Sequence, residues 1–430
     1  MTPAPRTLAA MWPRLSTYRP DSLKRALTWF HTAPGRPRLA AGEQPGWRRV
    51  LPVAAVGMAL AAVLVGARVG LPDQVDPIAP FTVGYIWEIG PALEERGVRL
   101  PAVLAHDGYD GQWFLGQAYD PLLFTDMAST FDTPRYRAMR VLMPAAGWLL
   151  AAGQPALIPY ALLLLGILAV GLGCAVCARI VAAYGRSRWW GTGFALIPGV
   201  VIGVAYGTAE PLGLALAALG ISLALQKWYG WAGLAFAGAA LTKETYLAFA
   251  VGVALFLAVQ GYVTGVARAR WTRDAAMVLL PGTALLAAWW VYVHASLGSL
   301  PPEENYGTFE RFEPPFVGWV EAIATMVRGD YPHYHSIGIG HEAVLVASLV
   351  IAVAAIAYSL KLRQSVLAYL AFGQGVFGLI IAGFLLERFA SAQRALAPAV
   401  LATALFLIIV RRVHHRAEPP PARVPEAVKA

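Results

Sequence analysis

The chain has 430 residues, of which 58% are hydrophobic and only 14% charged, with a formal net charge of +9. A soluble domain covers its surface with roughly a quarter of charged residues, so this composition excludes an ordinary soluble enzyme. Repeated ten-residue segments of period-2 alternation are absent, which excludes a β-barrel.

The expected architecture is an all-α polytopic membrane protein with about 10 transmembrane helices. Residues 1–49 form a basic arm, in which "DSLKRALTWFHTA" has the pattern of a helix for anionic lipid, but a solvated tail with a role in orientation is the favoured reading. No cleavable leader is expected, since the first apolar run begins only near residue 50. Hydropathy places spans near 51–67, 156–178, 190–206, 210–225, 230–242, 246–264, 275–294, 342–360, 364–386 and 393–411. With both termini cytoplasmic, Lys and Arg gather on the inner segments, and Asp and Glu on the outer ones. This sorting explains the basic excess without nucleic acid.

Between the first two spans lies an outer loop, 68–155, long enough to fold into a functional cap. Its "AHDGYDGQWFLGQAYDPLLFTDM" places Asp107, Asp110, Asp120 and Asp126 among aromatics. Asp107 and Asp110 are three apart, so on a helix or turn their carboxylates share a face, as suits a general base or a divalent-cation site. Tyr109, Trp113 and Phe114 offer flat apolar faces for sugar rings. The plainer alternative is a turn and helix cap. Downstream, Arg135, Arg137 and Arg140 stand on the outer side against the general sorting. Their forked guanidinium groups suit a lipid phosphate, or the loop's own aspartates. Residues 140–153, "RVLMPAAGWLLAAG", would span only about 20 Å as a helix and are expected to lie at the outer face.

Cys174 and Cys177 sit inside an apolar run and read as packing residues rather than a redox pair or half a zinc site. Glu210 falls at an outer turn. The run around "TKET" is too long for one crossing and is expected to split there, placing Lys243 and Glu244 at a turn below the membrane surface. A second outer loop, 295–341, brings Asp330, His333, His335 and His341 close to Glu342. That spacing admits a metal site, but a lid with histidines at a wet interface is the favoured reading. The Pro-rich tail, 412–430, is expected to be disordered and cytoplasmic.

"YDGQWFLGQAYDP" followed by "RYRAMRVLMPAAGWLLAAG" resembles the first outer loop of GT-C membrane glycosyltransferases, most of all the bacterial relatives of the glycosylphosphatidylinositol mannosyltransferase II group. "AEPLGLALAALG", "AGLAFAGAALTKETYLAF" and "ERFASAQRALAP" are similar to later family segments, in the expected order. The resemblance covers roughly residues 50–410. It implies a GT-C fold whose long first extracytoplasmic loop carries short juxtamembrane helices. The implied donor is a polyprenyl-phosphate-linked sugar, and the acceptor a glycan or lipid hydroxyl outside the bacterial cytoplasmic membrane.

The family's catalytic acid falls on Asp110, and Asp107 ranks as helper or metal ligand. Trp113 and Phe114 stand where the mannosyltransferase group has a histidine, a departure that leaves the sugar unassigned. A phosphate leaving group develops negative charge that a preorganised cation stabilises; Arg137, Arg140, Lys243 and Arg394 are the candidates. Tyr109, Trp113, Glu210 and Glu244 are assigned to substrate. The rival classes are a transporter or flippase of a lipid-linked saccharide, and a non-catalytic assembly subunit.

Overall fold

The computed structural model describes residues 25, 28, 42–70, 75–101, 104–298, 314–328, 339–361, 365–381, 386 and 389–416. The N-terminal arm before 42, apart from two residues, and the tail beyond 416 lie outside the described residues, as do Asp330, His333 and His335. Among the described residues there is no strand; Gly84 and Ala105 form an isolated bridge.

The first apolar run is helix α1, Trp47–Arg68. Four short helices follow before the next long one: α2 (Ile89–Glu94), α3 (Gly111–Tyr119), α4 (Pro134–Ala138) and α5 (Leu142–Leu150). The stretch read as a short surface helix is therefore a helix of nine residues. At about 13–14 Å it is less than half a bilayer core.

Helix α6, Ile158–Ala183, starts with Pro159 in its first turn, where a missing N–H costs nothing. It packs antiparallel on α1, with Gly57 against Cys174 and Gly171 against Met58. Small residues at such a seam let two backbones approach closely.

The run expected to cross at 190–206 is broken. A 3-10 segment, Arg188–Leu196, meets α7, Pro198–Ala205, at a bend of 56°. Proline forces the residue before it out of the helical region, and Ile197 is indeed extended, at φ −62° and ψ 122°.

Helices α8 (Glu210–Leu225) and α9 (Tyr229–Thr242) form an antiparallel pair joined through Lys227, at φ 63°. The split at "TKET" falls where expected. Lys243 is extended, Glu244–Tyr246 makes one 3-10 turn, and α10 runs over Leu247–Val263. The remaining helices are α11 (Arg268–Ser296), α12 (Val317–Arg328), α13 (Ile339–Lys361), α14 (Val366–Leu379) and α15 (Phe389–Arg416). His341 and Glu342 belong to the first turn of α13, and the tail expected from 412 begins with residues that are still helical.

Each of the ten expected spans contains helix, but length and hydropathy establish fewer crossings. Five helical segments are long and apolar enough, Trp47–Arg68, Pro155–Ala183, Glu244–Val263, Arg268–Ser296 and Ser391–Ile409, or six with the bent pair. Helices α8, α9 and α14 fall short because 14 to 16 residues reach only about 21–24 Å. Large apolar side chains such as Val63, Leu164 and Val350 face outward, while Phe236, Phe249 and Phe406 fill the interior. Helices apolar on every side, with Leu and Val turned outward, are those of a membrane-spanning protein.

Cys174 and Cys177 are both free thiols, 0% and 3% exposed. Maleimide added to the native protein is expected to label neither, and to label both once the chain is unfolded. Rapid labelling of the native protein would contradict the α1–α6 seam.

Candidate functional site

One end of the bundle collects charges that the sequence spreads over more than 280 positions. The loop ahead of α3 sets the first of them. Tyr109 N–H donates to the Thr82 carbonyl at 2.9 Å, and Gln112 accepts from Gly84 N–H and donates to the Asp107 carbonyl. Gly108, at φ +71°, turns the chain between Asp107 and Asp110. Gly111 lies against the carbonyl of Tyr206 and the backbone of Phe81, a space no Cβ would fit.

Asp110 thus stands at the N-cap of α3, 28% exposed and enclosed by two guanidinium groups. Arg394 Nη1 donates to its Oδ2 at 2.7 Å, and Arg137 Nη1 lies 3.1 Å from Oδ1. Burial raises the carboxyl's proton affinity, but the charges of Arg137, Arg394 and Arg140 outweigh it and hold Asp110 well below the ordinary carboxylate range. Tyr109, beneath Arg394 and against Tyr206, is pushed up to about 12 by burial.

A second carboxylate anchors the same arginine. Glu210, the first residue of α8 and 2% exposed, accepts from Arg394 Nε at 2.8 Å and from Lys243 Nζ at 3.2 Å. The Thr208 hydroxyl also donates to it. Arg137 is held from behind by Asp132, through Nε at 2.8 Å and Nη2 at 2.7 Å. Arg140 makes a forked contact with Glu244 at 3.3 and 3.2 Å, and donates to the Tyr136 hydroxyl.

Helix ends suit these charges. Asp110 and Glu210 sit at N-termini, Lys243 follows the C-terminus of α9, and Arg68 closes α1. Arg68 donates to the Ala205 carbonyl and the Thr82 hydroxyl and lies over the Tyr206 ring.

All four cations assigned to phosphate therefore join Asp110, Glu210 and Glu244 in one network, but each is already engaged by a carboxylate of the chain. The carboxylate of Asp107, 48% exposed, pairs with His106, and Gly108 in the left-handed region breaks any helical register between it and Asp110. Trp113 and Phe114, read as platforms for a sugar, are 4% and 5% exposed; Trp113 packs edge-on to Trp87 and supports Arg137.

Asp120 ties a turn by accepting from the amides of Phe124 and Thr125. Asp126 opens a short 3-10 segment. Arg135 donates to the Leu297 carbonyl. Among the described residues, no group of three or more His, Cys, Asp or Glu side chains is placed to hold a metal ion.

Sequence reasoning missed Asp132, Thr208, Tyr136, Tyr206, Tyr246 and Arg68. Asp132 was open to discovery in "DTPRYRAMR", where it precedes three arginines. Tyr246 was not. It is fully buried near these ion pairs with its hydroxyl unpartnered, and only the fold brings it there.

No family model, no curated protein and no solved structure matches this chain.

Removing one partner of a buried ion pair strands the other, so Arg394→Leu is expected to cost about 3–5 kcal/mol, read as a lowered unfolding midpoint in detergent. Arg394→Lys should recover only part, because a single ammonium lacks the fork that reaches both carboxylates.

Asp110 titrates lower in the folded chain than when unfolded. Its contribution is present above the ordinary carboxylate value and is lost as pH falls through the lowered folded value. Asp110→Asn should remove this limb of the stability–pH curve; an unchanged acid limb would contradict the pairing.

Proposed function

We propose that the chain is a GT-C type membrane glycosyltransferase of the bacterial cytoplasmic membrane, transferring a sugar from a polyprenyl-phosphate donor to a glycan or lipid hydroxyl on the extracytoplasmic side. The observation that carries this reading is Asp110: an ionised carboxylate at a helix start, partly open, set among cations at one end of an apolar bundle.

In this reading Asp110 takes the proton of the acceptor hydroxyl while that oxygen attacks the anomeric carbon. The bond from that carbon to the phosphate oxygen breaks, and the polyprenyl phosphate leaves. Two arginine contacts make Asp110 a weak base at rest. A donor phosphate competes for the same guanidinium forks. As Arg137 and Arg394 turn towards it, Asp110 loses positive neighbours and its proton affinity rises toward a useful value. The arginines then stabilise the charge developing on the leaving phosphate, where such contacts count most. Glu210 and Asp132 hold Arg394 and Arg137 from behind, so both remain tethered through the exchange.

Asp110→Asn should lower transfer by at least about a hundredfold, the usual scale of a positioned general base. The variant should stay folded, because Arg394 keeps Glu210 as partner. The test is mass spectrometry of envelope glycans and lipid-linked sugars from a strain lacking the protein, complemented with wild type or Asp110→Asn at matched membrane levels. The variant should reproduce the deletion phenotype; restoration to wild-type glycans would refute the assignment.

A further inference from the structure

The opposite end of the bundle has the reverse electrostatic character. Helix α1 begins at Trp47, and its N-cap, Gly46, supplies no side-chain bond to the first turn. Helix α6, running antiparallel, brings Arg179 to this spot one turn before its own end, with Cζ 4.0 Å from the centre of the Trp47 ring. Arg179 is 7% exposed, its Nε has no hydrogen-bond partner, and among the described residues no carboxylate lies within ion-pair distance.

The surroundings add charge of the same sign. Arg48 and Arg49 are exposed on the first turn of α1, and Arg188 donates to the Arg49 carbonyl at 2.6 Å. The N-terminus of a 22-residue helix contributes further positive potential. The neighbouring acid, Glu43, is exposed and makes no ion pair among the described residues. The Arg49 N–H donates to the Gly46 carbonyl, but no side chain caps this turn, and a buried guanidinium that no described residue neutralises is costly; an anion on that spot removes the cost.

We propose that this end of the bundle binds the headgroup phosphate of an anionic membrane phospholipid, gripped by Arg179 and the open first turn of α1. A lipid fits better than a soluble phosphate because of what flanks the site. Trp47 and Trp190, 45% and 51% exposed, present indole rings of the kind that anchor at headgroup depth. Leu51, 58% exposed, continues the same helix toward the apolar middle, where acyl chains would lie. The site lies at the far end of α1 from Arg68 and does not depend on the proposed transfer reaction.

The test uses the full-length protein in nanodiscs of phosphatidylcholine alone or mixed with phosphatidylglycerol, with a third sample in detergent containing glycerol phosphate. Phosphatidylglycerol should raise the wild-type unfolding midpoint by several degrees. Arg179→Leu should abolish that difference while melting in phosphatidylcholine at or above wild type, since the unpaired charge is gone. Arg179→Gln gives the same comparison if the leucine variant does not fold. No phosphatidylglycerol effect in wild type, or an equal effect in the variants, overturns the proposal. Equal stabilisation by glycerol phosphate, lost in the variants, overturns the lipid and assigns a soluble anion.

Discussion

Arg394 is the constraint on which the candidate site depends. Its guanidinium uses Nε for Glu210 and Nη1 for Asp110, tying α15 to the start of α8 and to the loop before α3. A planar fork can hold two carboxylates in fixed directions; a point charge cannot. Because Glu210 and Arg394 are almost wholly buried, the pair must be geometrically complete or its desolvation goes unrepaid. That requirement fixes three distant parts of the chain relative to one another, and the rest of the network is built around it.

The surrounding charges obey the same rule. Asp110, Asp132, Glu210 and Glu244 match Arg137, Arg140, Lys243 and Arg394, and most sit near helix ends whose dipoles favour their sign. A balanced network is stable in a low-dielectric setting, but it also occupies the groups that a ligand would use. Any anion entering here competes with a carboxylate of the protein itself. Under the proposed transfer reaction, this competition ties phosphate arrival to the proton affinity of Asp110, so the base strengthens only when donor is present.

Much of the helical layout was readable from hydropathy because long apolar runs leave the backbone little choice but helix. Glu210 and the turn at "TKET" were readable for the same reason: charge inside such a run has to mark an end or a break. Pro198 is visible in the sequence, yet hydropathy alone carries the span across it unbroken, because it averages over the residue that bends the chain. For Asp107, the spacing of three carries helical meaning only on a regular helix, and Gly108 in the left-handed region breaks that register before Asp110. Trp113 and Phe114 read as faces for a sugar, yet they are buried: an aromatic's chemistry is the same whether it meets a sugar or a core. Partner choice was beyond the sequence altogether: whether Arg137 faces phosphate or Asp132 depends on an approach that only the folded loop defines.

The two ends of α1 show what closing a charge network does. At the Arg68 end, the charged side chains around Asp110 are matched within the chain, so the fold there needs nothing from outside and a ligand must displace something. At the Trp47 end, Arg179 is packed between helices against an aromatic face with no carboxylate in ion-pair distance among the described residues, which is why an external anion is proposed there. A bilayer offers such anions at its surface and nowhere in its interior. Under that proposal this end lies at a headgroup layer, and α1, about 33 Å long, is long enough to carry the Arg68 end to the opposite surface. Under the proposed lipid contact, charge matched inside the protein would face one side of the membrane, and charge matched by lipid the other.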